Sequence, residues 1–123
     1  MNSFKEEYNN VLLEYCEKEL KTFIEKRKSG ADKIRKSAEA KGGPAKLTAI
    51  HFAAKEKPYN HAIELSTKEK CSEVLKQKGN ELASKLKNWH TMSQKEFQTV
   101  MGQLEAYGEV YIKTVKPNSI KLD

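Results

Sequence analysis

The chain has 123 residues, a formal net charge of +6, and 37% hydrophobic, 33% charged and 8% aromatic residues. This length fits one domain around one core, and the regular recurrence of the apolar residues argues against a disordered chain. The longest apolar runs, such as 11–13 and 52–54, are three residues, whereas a membrane helix needs roughly 20; a membrane partner is therefore not expected.

From the N-terminus, Ser3 with Glu6 has the form of a capping box. Phe4, Tyr8, Val11, Leu12, Tyr15, Cys16, Leu20, Phe23 and Ile24 then recur at three- and four-residue steps. That spacing predicts a long amphipathic helix, ending near Ser29-Gly30 with Lys26, Arg27 and Lys28 in its last turn. Cations there would offset the negative end of the helix dipole. Residues 31–41 are helical by propensity but thinly apolar, which predicts a rim helix. Gly42-Gly43 suits its C-terminus, and Pro44 suits the first position of the next helix.

Leu47, Ile50, His51 and Ala54 share one helical face and Phe52 another, so this helix is expected to be central. Pro58 must break or kink it. Ser66 with Glu69 predicts a new start, leading into Cys71, Val74, Leu75, Leu82, Leu86 and Trp89. Ser93 with Glu96 predicts another, leading into Phe97, Val100, Met101, Leu104, Tyr107, Val110, Tyr111 and Val115. Gly79, Gly102 and Gly108 suggest close approach or bends. With no convincing strand alternation, repeat or sustained heptad, the expectation is all-α. It is a compact single-domain bundle of four to six helices over 1–116, with one helix broken or kinked at Pro58 and a tail at 117–123.

The first seven residues carry two Glu and one Lys, unlike a basic and then apolar secretory signal. With Cys16 and Cys71 as free thiols, the expected location is the cytoplasm.

Eight basic residues and two acidic ones lie between Lys26 and Lys46, so this window carries the whole net charge. Most such runs are solvated faces, but the same charge suits nucleic acid or another polyanion. The sharper form is an anion site of Lys33, Arg35, Lys36, Lys41, Gly43, Lys46 and Thr48 around the next helix start. The spacing is not that of a phosphate loop. His51, His61 and Cys71 lack the short spacings of a metal site, so no metal or other cofactor is expected. His51, Tyr59 and His61 are candidates for one pocket, with Glu56 or Glu64 to orient a histidine. Tyr107, Tyr111 and Ile112 mark a broad stripe suited to a partner or to self-association. No motif is specific enough to name a family. The leading expectation is a helical module acting by protein–protein contact. Binding of an anionic ligand or nucleic acid through 26–46 is the alternative, and a small enzyme using His51, Tyr59 and His61 comes third.

Overall fold

Gly30 does not end the first helix. The computed structural model describes residues 3–66, 68 and 70–115, with side chains from Lys18 to Thr114 within that range. In it α1 runs unbroken over Ser3–Lys41. The cost of one mid-helix glycine is about 1 kcal/mol, and good helix formers on both sides absorb it. Asp32 pairs with Arg35 and Lys36, and Arg35 with Glu39, at helical spacing. The cluster at 26–28 therefore lies mid-helix, and the dipole explanation for it fails. Residues 31–41 are no separate rim helix either, because Ala31 and Ala38 are buried on the same unbroken helix as Ile24.

Gly42 and Gly43 stop α1, with φ of 66° and 57°. An L side chain would pay roughly 1–2 kcal/mol at each. Pro44 keeps helical angles just before α2 (Ala45–Ala54). α3 (Glu56–Leu65) follows after Lys55 alone, whose φ of −73° and ψ of −22° remain helical. The two form one rod bent at Lys55. Pro58 has no N–H to give the carbonyl of residue 54, and its ring crowds that carbonyl. The break thus falls three residues ahead of the proline.

Ser66 does not open the next helix. Its Oγ donates to the Ile63 carbonyl at 2.6 Å and so closes α3. α4 (Cys71–Leu86) starts after Lys70 and buries Cys71, Leu75 and Leu82. A 3-10 turn at Trp89–Thr91 leads to α5 (Gln94–Val115). Ser93 does cap α5, since the Glu96 N–H donates to its Oγ at 3.1 Å. Four rods, one of them bent, make an all-α bundle with no strand among the described residues. No described helix is long and apolar enough to cross a membrane. The capping box at Ser3, the side chain of Cys16 and the tail at 117–123 lie outside what is described.

The core joins all four rods through Ile24, Tyr59, Ala62, Leu75, Ala106 and Val110. Side-chain pairs set the directions. His51 meets Gln98 and Glu105, Lys55 meets Glu105 and Glu109, and Tyr59 meets Glu109. These numbers rise together, so the bent rod and α5 run parallel. Arg27 meets Glu109 and Lys113 lies over Phe23, so α1 runs opposite to α5. The turns at 42–44 and 87–93 therefore share one end of the bundle.

Of the three suspected glycines, only Gly102 serves close approach. A Cβ there would overlap the His51 carbonyl and lie 3.1 Å from the Ala54 Cβ, whereas Gly79 and Gly108 have nothing within 4 Å. Gly102→Ala is expected to destabilise by about 1–3 kcal/mol through overpacking. Gly79→Ala is expected to stabilise by about 0.5–1 kcal/mol. Urea unfolding of the two variants beside wild type measures both.

Candidate functional site

His51, Lys55 and Tyr59 stand four residues apart along one face of the bent rod. Opposite them, Gln98, Gly102, Glu105 and Glu109 form a stripe on α5. The two His51 ring nitrogens meet Gln98 Oε1 at 3.0 Å and Glu105 Oε2 at 2.5 Å. Lys55 Nζ lies 3.4 Å from Glu105 and 3.2 Å from Glu109, and 5.1 Å from the centre of the Phe52 ring. Lys55 is only 5% exposed. Its burial would cost several kcal/mol without these two carboxylates.

Glu109 is the hub of this seam. One carboxylate oxygen accepts from Arg27 Nη2 at 2.8 Å and Lys55 Nζ at 3.2 Å. The other accepts from the Tyr59 hydroxyl at 2.7 Å and Arg27 Nε at 3.2 Å. All four lone-pair directions are used. Burial alone would raise its pKa, but the hydrogen bonds from Arg27 and Tyr59, with Lys55 beside them, bring it below the usual carboxylate value. Burial and the Glu109 charge push the Tyr59 hydroxyl well above its ordinary range.

The three pocket candidates are thus all turned to α5, but to different partners. His61 Nδ1 bonds the Tyr107 hydroxyl at 2.8 Å, apart from the seam that holds His51 and Tyr59. Glu56 lines a cleft instead and orients neither histidine. Among the described residues, no group of three His, Cys, Asp or Glu could hold a metal ion. Burial raises the Cys71 thiol pKa, which suits an unreactive core position.

The basic window is divided. Arg27 is bound to Glu109 and Lys28 to Asn60. Arg35 and Lys36 are occupied by Asp32 and Glu39. Lys33, Lys41 and Thr48 do come together, lining a shallow groove of about 320 Å³ between α1 and α2. Lys46 and Gly43 are exposed near its end. Arg35 instead lines a separate cleft of about 440 Å³ formed by α1, α2 and α3. The floor of that cleft is Ala31, Phe52 and Ile63, and its rim carries Glu25, Asp32 and Glu56 with Lys28 and Arg35.

Of the three residues expected at a partner surface, Tyr107 is buried in the core, Tyr111 is half-buried and Ile112 is 55% exposed. Trp89 reverses its expected place, standing 62% exposed in the 3-10 turn. The cleft and the seam were missed in the sequence. Residues 51, 55 and 59, and 98, 102, 105 and 109, do carry a readable helical spacing. Compared with known protein families, curated proteins and solved structures, the chain has no match.

Glu109→Gln is expected to cost about 2 kcal/mol at neutral pH, since charge-assisted hydrogen bonds are lost around Lys55. Because folding lowers the Glu109 pKa, its contribution is complete above the unfolded value of about 4.3. It is lost as pH falls through the lower folded value. The gap between wild type and variant should therefore narrow from pH 5 to pH 3, as read by urea melts at each pH.

Proposed function

We propose that this chain is a small helical binding module whose partner is another protein, held as an extended segment in the cleft of α1, α2 and α3. The observation that carries this reading is the cleft itself, an apolar floor of Ala31, Phe52 and Ile63 inside a charged rim. Concave, largely apolar sites with a few placed polar groups are what ligand segments fill. Asp32 is already paired with Arg35 and Lys36, while Glu25 and Glu56 have no ion pair among the described residues. A partner side chain that is aliphatic, next to a Lys or Arg, fits both parts. Ile112 beside Tyr111 offers a second contact on the outer side of α5. The buried free thiol of Cys71 accords with a reducing compartment, and the proposed location is the cytoplasm. Catalysis by His51, Tyr59 and His61 has less support, because each is committed to a side chain of α5.

Selection from a randomised peptide library is expected to return peptides with a basic residue beside an aliphatic one. Glu25→Lys with Glu56→Lys should weaken them at least tenfold. Peptides of no common pattern, or equal binding by the double variant, would reject the cleft.

A second reading is an anionic ligand in the α1–α2 groove, favoured by Lys33 and Lys41, which have no ion pair among the described residues and face Thr48. Lys33→Ala with Lys41→Ala is expected to weaken inorganic phosphate or heparin binding severalfold in low salt. Unchanged titration curves would dismiss it.

A further inference from the structure

The exposed tryptophan stands in a cationic surrounding. From residue 82 to residue 95 there is no Asp or Glu, while Lys85, Lys87, His90 and Lys95 fall within that stretch. All four are exposed, and none of them has an ion pair among the described residues. Lys87 keeps helical angles beyond the end of α4, and the Asn88 N–H donates to the Lys85 carbonyl at 3.1 Å. Lys85 and Trp89 therefore stay about one turn apart on nearly the same side. Among the described aromatic pairs, the Trp89 ring meets the His90 ring edge-on, at 5.9 Å and 86°. At 62% exposure, much of the Trp89 side chain is open to solvent. Because α5 runs parallel to the bent rod, the turn at 42–44 lies at this same end, with Lys41 and Lys46 exposed beside it.

We infer that this end of the bundle binds single-stranded nucleic acid, with Trp89 stacking on one base and Lys85, Lys87 and Lys95 holding the adjoining phosphates. Single strands are gripped by this combination of aromatic faces and a cationic track, which tolerates any sequence because every base has a flat face. The alternative occupant with the same charge is an anionic membrane. Interfacial anchoring uses several apolar side chains side by side. Here Leu86 and Met92 are half-buried, leaving a single ring on offer. One ring suits one base. Lys41 and Lys46 extend the track toward the α1–α2 turn, so a strand of several nucleotides meets more charge than a mononucleotide does. The inference is independent of the peptide cleft, which lies on α1, α2 and α3.

The test uses the full chain and a fluorescein-labelled 15-nucleotide oligothymidylate. The chain has one Trp, so its own fluorescence reads the site directly. Expected are binding by anisotropy at low salt and quenching of the Trp emission with the same midpoint. Trp89→Ala should weaken binding roughly fivefold to 150-fold, the range that stacking one base supplies, and leave the salt dependence unchanged. Lys85→Ala with Lys87→Ala should flatten the slope of log K against log salt by about 1.4, at about 0.7 for each phosphate no longer neutralised. Circular dichroism melts confirm that both variants fold, and Trp89→Phe should restore part of the affinity. Binding without quenching, or binding that Trp89→Ala leaves intact, overturns the inference. So does a blue shift of Trp emission on phosphatidylserine vesicles with no response to the oligonucleotide, which would assign this end to a membrane surface.

Discussion

The Glu109 carboxylate organises this bundle. It lies on α5 and accepts from Arg27 on α1, Lys55 at the bend and Tyr59 on α3. Apolar contacts alone would allow the bent rod to slide along α5, because the hydrophobic effect has no direction. Hydrogen bonds of fixed length do not allow it. Lys55 adds the penalty that makes this specific, since a slip of one turn would leave a buried ammonium without its carboxylates. Among the described residues, no buried side-chain nitrogen or oxygen lacks a hydrogen-bond partner. The seam is therefore a complete network, the condition under which buried polar groups specify one packing.

The bend and the seam depend on each other. Pro58 frees the carbonyl of residue 54 and turns the rod at Lys55. The turn brings Lys55 and Tyr59 onto Glu105 and Glu109 while His51 remains on Gln98. Gly102 sits where the two rods leave no room for a side chain, under the His51 carbonyl. Beside the seam on the same rod, Phe52, under the Lys55 ammonium, and Ile63 floor the cleft. Its shape thus follows from the geometry that the seam imposes.

Local chemistry made much of this fold legible in the sequence. The apolar spacing gave the rods, Gly42-Gly43 gave the sharp turn, Pro58 gave the bend, and Ser93 gave the start of α5. What failed were decisions between local preference and tertiary context. Gly30 reads as a stop, but Ala31 and Ala38 have a partner helix to pack on. Ser66 reads as a start, but its hydroxyl serves the helix behind it. Trp89 fits the apolar stripe of α4 by spacing, yet it stands exposed in the expected turn at 88–92 and not in the core. The candidate site was less legible for a related reason. Arg27 and Glu109 are 82 residues apart, and nothing local to either announces the other. In the basic window, a count of charges could not show that Arg27, Arg35 and Lys36 are already paired with carboxylates.

The separation between Arg27 and Glu109 also bears on the order of folding. The α1–α2 and α4–α5 pairs are hairpins joined by short turns, so their contacts close small loops and form early. The seam joins one hairpin to the other and must wait for a much longer loop to close. Interactions absent from the rate-limiting barrier leave the folding rate alone and set the unfolding rate instead. On that basis the four hydrogen bonds of Glu109 act as a late latch. They do little to speed assembly of the bundle, and they govern how long it stays assembled.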